Sequence, residues 1–185
     1  CQCEVCQTSR KLGGKHLRSR SQALVNGELL IDFPVDTYMH MLRHGIDLAS
    51  IKHILITHTH SDHLAPKDFE WLQGGASYLK DTRPLIIYGT KPVGNIIHPL
   101  LASLRLDEKH KVLFKEIEPF KPFLAKGYTI TPLKAMHDDK AGSVIYSITK
   151  NNKSILYAHD TGYLAEQVWT YFQQKRPCYQ LVSLD

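Results

Sequence analysis

The sequence lacks any apolar run long enough to cross a bilayer, and its polar N-terminus carries no signal-peptide pattern. A membrane partner is therefore not expected, and a soluble, cytoplasmic protein is. No internal repeat and no low-complexity linker divides the chain, so residues 1–185 read as a single domain. Cysteine is scarce, with four in all, and three of them are crowded as Cys1, Cys3 and Cys6 while Cys178 stands alone. That excludes the spread cysteine framework of a small disulfide-stapled secreted domain and favours a metal clip in a reducing compartment. Long runs of like charge are also missing. Arg18 and Arg20, near Lys11 and Lys15, come closest.

What is present is enough apolar sequence for one sizeable core, 43% hydrophobic in 185 residues. Net charge is +5, a balance that suits an anionic substrate such as a phosphate ester, while the spread of the basic residues reads as a solvated surface as readily as a nucleic-acid patch. Segments Leu29 to Asp32, Ile51 to Thr57, Leu85 to Tyr88 and Tyr128 to Pro132 read as strands, short, apolar and bounded by turn-forming or polar residues. Val144 to Ile148 and Ser154 to Ala158 flank Asn151-Asn152-Lys153 as a hairpin, and Gln180 to Leu184 forms a last strand. Helices are expected over Asp36 to His44, Pro66 to Leu72, Gly94 to Leu106 and Leu164 to Lys175. In the last of these, Leu164, Val168, Trp169 and Phe172 form a core-facing stripe. Clustered strands with interspersed helices fit an α+β body, layered αββα, better than a doubly wound parallel sheet.

Eleven histidines are present, and their placement matters more than their number. His58 and His60 follow the apolar run Ile54-Leu55-Ile56, and a spacing of two in extended chain puts both rings on one face. Asp62 and His63 follow at once, so four potential ligands converge at one strand end. Neutral imidazole with carboxylate suits Zn, Mn or Fe in a hydrolytic site.

The run His58-x-His60-x-Asp62-His63 resembles the signature of the metallo-β-lactamase superfamily. Three later and earlier positions match in order: Asp32 at an early strand end, His137 after Thr131 to Met136, and Asp160 in Tyr157-Ala158-His159-Asp160-Thr161-Gly162. The resemblance implies the αββα four-layer sandwich of that superfamily, here incomplete at the N- and C-termini. It implies two divalent ions, Zn or Mn, the first on His58, His60 and His137 and the second on Asp62 and His63. Asp160 would bridge them, and Asp32 would stand behind the ligands as a buried support. It further implies that one more histidine of the second site, and the general acid, lie past Asp185. Asp138 and Asp139 read as solvated. His16, His40, His44, His53, His98 and His110 read as non-ligands, as does His159, the one most worth checking.

Cys1-x-Cys3-x-x-Cys6, followed by Ser9-Arg10-Lys11 and Arg18-Ser19-Arg20-Ser21, resembles the PhnP-like phosphodiesterase branch. That likeness implies a structural zinc on Cys1, Cys3 and Cys6 whose fourth ligand follows Asp185; His16 is a distant alternative. It implies a metal-dependent hydrolase that attacks a small cyclic or nucleotide-like phosphodiester with a hydroxide held by two metals, Asp62 orienting it. Related readings are a tRNA 3′-processing-type nuclease, a thioesterase or lactonase on the same fold, and a non-catalytic metal-binding domain. Nucleic acid is the less favoured partner, and a homodimer is open.

Overall fold

The computed structural model describes residues 1–72, 84–103 and 112–185. Among these, the strands form two five-stranded sheets. The first has the order β1 (Ala23–Val25), β2 (Leu29–Ile31), β3 (His53–Leu55), β4 (Leu85–Gly89), β5 (Val112–Glu116). The second has the order β10 (Tyr179–Leu184), β9 (Lys153–Ala158), β8 (Val144–Lys150), β7 (Tyr128–Lys134), β6 (Phe123–Ala125). β2 to β5 are mutually parallel, with β1 antiparallel at the edge. The second sheet is an antiparallel meander closed by β10, which lies parallel to β9.

Alternation of side chains decides the layering. Leu29, Ile31, Leu55 and Tyr88 of the first sheet meet Tyr128, Ile130, Val144, Tyr146, Ile148 and Tyr157 of the second in one buried cluster. Neighbours one position along face the other way. Leu30, Ile54 and Ile87 pack with Val93 and Ile97 of helix α3 (Lys91–Ser103). Leu133, Ile145, Leu156 and Ala158 pack with Val168 of helix α4 (Glu166–Lys175). The result is helix, sheet, sheet, helix, as expected, and a fully buried Leu, Ile or Val contributes roughly 1.5–3 kcal/mol to it. Among the described residues the other α-helices are α1 (Glu4–Leu12) and α2 (Thr37–His44).

Several details depart from the sequence expectations. The cysteine segment, for which the sequence carried no helix expectation, is helical, since Cys3 caps α1 and Cys6 lies inside it. β1, β5 and β6 were not anticipated, although Asn26-Gly27 marks the β1–β2 turn, both residues at positive φ (51° and 70°) as a hairpin of that type requires. Asn151 and Asn152 do the same between β8 and β9 (φ 51° and 60°), so Lys153 belongs to the strand. Pro66–Leu72 is a 3-10 helix and not an α-helix, with the Asp68 N–H bonded three residues back to Ala65. α3 starts at Lys91, with Pro92 in its first turn where a missing N–H costs nothing; the stretch expected to carry it to Leu106 lies outside the described residues. Trp169 is not core-facing: it is 40% exposed, because it sits a helical step of about 100° round from Val168. Among the described residues no helix is long and apolar enough to cross a membrane.

Candidate metal centre

The site is assembled where strands stop. Asp32 follows β2, Thr57 to His63 follow β3, His137 follows β7, and Asp160 follows β9. The loop after β3 is tied to the second sheet by Val144 N–H to Thr57 O (3.0 Å) and Thr59 N–H to Ala141 O (3.3 Å). Those bonds bring residues from both sheets to one end of the sandwich.

Asp32 is the anchor. It is fully buried, sits at φ 64°, and accepts from Thr57 N–H (2.8 Å), Thr57 Oγ1–H (2.9 Å) and His63 Nδ1–H (2.7 Å). Burial raises its pKa, against the lowering effect of those bonds. The Thr57 hydroxyl has a single proton and gives it to Asp32, so its oxygen accepts from His58 Nδ1–H at 3.0 Å. Both tautomers are then settled: His58 and His63 carry their protons on Nδ1 and present bare Nε2 atoms to the cleft.

The His58 Nε2 atom is buried and without a hydrogen-bond partner. Burial, and then the facing rings of His63, His60 and His137, push its pKa down to about 3, so its lone pair stays free. The His63 Nε2 atom lies 3.0 Å from Asp160 Oδ2 and 3.8 Å from Asp62 Oδ2. Burial opposes protonation of His63, but the Asp32 bond and the surrounding carboxylates outweigh it and raise the pKa.

Two groups of donors share this cleft. His58, His60 and His137 form one and His58, His63 and Asp160 the other, the ligand atoms of each lying within 4.8 Å of one another. Asp160, held at φ 52°, stands between them: its Oδ2 is 3.6 Å from His58 Nε2, 3.0 Å from His63 Nε2 and 3.8 Å from His137 Nε2. Asp62 lies at the rim, its side chain 54% exposed. Lone pairs and a carboxylate aimed at one another across about 3–4 Å repel unless a proton or a metal cation lies between, and imidazole with carboxylate is a donor set for Zn or Mn. The donor set therefore fits a divalent metal ion, with Asp62 outside both groups.

Sequence reasoning missed three supports. Asp138 is not merely solvated: its Oδ2 lies 3.2 Å from His60 Nε2, a bond that lowers its pKa. Gln22 Nε2 donates to Asp32 O (3.0 Å), and Ser19 and Gln22 clasp the buried His40. Asp185 Oδ2 accepts the Asp160 N–H at 2.9 Å. These side chains follow or precede strands by short loops, and only the Asp138 neighbourhood of His137 gave a signal in sequence. His159 is no ligand of the cleft, because Ser21 Oγ (2.9 Å) and Ser183 Oγ (2.7 Å) engage its two nitrogens while it stacks on Tyr157. Cys1, Cys3 and Cys6 bring their thiols together as a third group, without His16. His110 lies outside the described residues.

The sequence model of the Anti-Pycsar protein Apyc1 family matches residues 21–183, nearly the whole chain. The chain belongs to that family. It is 33% identical to the ribonuclease Z of Staphylococcus epidermidis over 138 residues, 66% of this chain and 42% of that protein. It thus spans less than half the length of that relative. Among solved structures, a diphosphatase from the PhnP family superposes with a TM-score of 0.67 at 18% identity, covering 93% of this chain and 63% of that one. The short form of human tRNase Z superposes with a TM-score of 0.67 at 17% identity, covering 89% and 70%. The metallo-β-lactamase fold expected from the histidine run is therefore present, and the PhnP family is among those that share it.

Proposed function

We propose that this chain carries the metal-binding core of a phosphodiester-cleaving hydrolase. The observation that carries the reading is the convergence of bare imidazole nitrogens on Asp160, with the buried His58 Nε2 atom left without any partner. His58, His60 and His137 would hold one divalent ion, zinc or manganese; Asp62 and His63 would hold the other, with Asp160 between. When bound, such ions supply Lewis acidity toward phosphate oxygens and ease the ionisation of water. The protein's own part is positional. Asp32 and Thr57 fix the rings of His58 and His63, so no reorganisation is needed as charge develops. Asp62, exposed at the rim beside His63, would orient the attacking hydroxide. The net positive charge of +5 favours an anionic ester over a neutral thioester.

The substrate we favour is a small cyclic or nucleotide-like phosphodiester, with a third, structural zinc on Cys1, Cys3 and Cys6. A tRNA 3′-processing activity is the second reading, supported by the ribonuclease Z relative. The test uses the full-length protein: metal content, then turnover of bis(p-nitrophenyl) phosphate, a cyclic nucleotide, a tRNA precursor and a thioester. His60→Ala and Asp160→Ala are each expected to lose metal and reduce phosphodiesterase activity to background. Undiminished turnover in either variant, or a preference for the thioester, overturns the proposal.

A further inference from the structure

We propose that Asp138 is a positioning residue that holds His60 in the tautomer able to bind a metal, through its 3.2 Å contact with His60 Nε2. This rests on the two-ion reading above and assigns a part in it to a residue outside the ligand set.

The three histidines of the His58 to His63 run are fixed by different means. His58 and His63 are almost fully buried, and Thr57 and Asp32 hold their Nδ1 atoms. His60 has no such enclosure, since its side chain is 38% exposed. Its Nδ1 faces His137 Nε2 at 3.1 Å, inside the first donor group, and its Nε2 faces Asp138 Oδ2. A neutral imidazole carries one proton and can place it on either nitrogen. A proton on Nδ1 would point into the donor group and remove His60 as a ligand there. A carboxylate accepts and never donates when ionised, so Asp138 draws the proton to Nε2 and leaves the Nδ1 lone pair facing His137.

Asp138 can do this only if it is itself held, and the loop holds it. Its Oδ1 accepts the Lys140 N–H (2.9 Å). Its carbonyl accepts Ser143 Oγ–H (2.9 Å) and the Ala141 N–H (3.2 Å). The loop is fastened in turn by Thr90 Oγ1–H to Gly142 O (2.9 Å), with Gly142 at φ 66°. Every one of these bonds is made by the protein alone, so the acceptor is in place before any ion arrives. The residue also lies next to His137 in sequence. One short turn after β7 therefore delivers both a candidate ligand and the group that aims a second candidate ligand arriving from β3.

The experiment compares full-length wild type with Asp138→Ala and Asp138→Asn. The metal-free proteins are read by long-range proton–nitrogen NMR of the imidazoles, which reports tautomers directly. Zinc binding is then measured by calorimetry and chelator competition. Wild-type His60 is expected as the Nε2–H form. Asp138→Ala should give mixed tautomers at His60 and weaken one zinc site roughly 10–100-fold, leaving the other unchanged. Asp138→Asn has one carbonyl oxygen, which the Lys140 N–H engages, so its NH2 faces His60 Nε2 and should shift His60 toward the Nδ1–H form. Because the Asp138 side chain is 43% exposed, the melting temperature of the metal-free alanine variant should match wild type. An unchanged His60 tautomer together with unchanged zinc affinity in Asp138→Ala overturns the proposal, as does an equal loss at both sites with a lowered melting point. Should wild type bind no zinc, the two-ion reading fails instead, and the metal-free NMR comparison still decides the role of Asp138.

Discussion

Removing the Asp32 carboxylate should cost both stability and metal affinity, in proportions set by the replacement. Asp32→Ala strands three buried donors, Thr57 N–H, Thr57 Oγ1–H and His63 Nδ1–H, which now bond to it at 2.7–2.9 Å. Each stranded buried donor costs about 1–3 kcal/mol. The sum is offset because the folded state no longer buries a charge, and breaking one side of such a buried pair typically costs about 3–5 kcal/mol net. For a domain of this size that lowers the melting temperature by roughly 6–20 °C. Asp32→Asn differs in kind. Its amide oxygen can serve Thr57 while its NH2 faces His63 Nδ1, which must then become an acceptor. The His63 proton moves to Nε2, where it meets Asp160 Oδ2 across the existing 3.0 Å contact. The asparagine variant should therefore lose only about 1–3 kcal/mol of stability, yet bind zinc at the His63 site roughly 10–100-fold more weakly. Thermal melts of the metal-free proteins and zinc calorimetry read the two effects apart. An alanine variant that melts with wild type, or an asparagine variant with undiminished zinc affinity, would refute the reasoning.

Three more outcomes follow from the geometry. The His58 pKa is pushed from 6.5 to about 3 on folding, so between those values the unfolded chain binds the extra proton. Metal-free wild type should thus lose stability as pH falls from about 6.5 toward 3, and His58→Gln should flatten that slope in urea melts; an unchanged slope contradicts it. Cys3→Ser should remove up to one zinc and lower the melting temperature while sparing activity, as judged by metal analysis; loss of the catalytic ions alone would count against a separate cysteine site. Gly142→Ala should destabilise by about 2–4 kcal/mol, from positive φ plus overlap of its Cβ with Thr90 and Pro92. Denaturant titration giving less than about 1 kcal/mol would show the loop to be compliant.

The layered fold and the cluster of His58, His60 and His63 were legible in sequence because both rest on local signals, whereas His137 and Asp160 came only with the family resemblance. Alternating apolar residues give strands, and a dense polar run after an apolar strand gives a strand-end site. Edge strands β1, β5 and β6 were not legible. Val112 to Glu116 alternates weakly, with Lys115 and Glu116 exposed, and Phe123 to Ala125 spans three residues only. Trp169 was misassigned for a related reason: apolarity and helical spacing mark a stripe without fixing its edges, and a ring can lie across the margin by packing edge-on to Phe172 at 5.9 Å.

The supports of the site were the least legible part, and physics says why. A ligand is chosen for its own chemistry, so its residue type is informative wherever it sits. A support is chosen for its position relative to a ligand, and Asp, Gln and Ser are common loop residues. Asp32 was legible only through the family resemblance, and Gln22 and Asp138 are recognisable only once Asp32 and His60 have been placed beside them. The supports nonetheless settle what the ligands can do, since they choose which nitrogen of each ring is bare. Asp32 acts through a buried network that also stabilises the fold, whereas Asp138 acts from a half-exposed turn. Substitution at Asp32 should therefore move stability and metal affinity together, and substitution at Asp138 should move affinity alone.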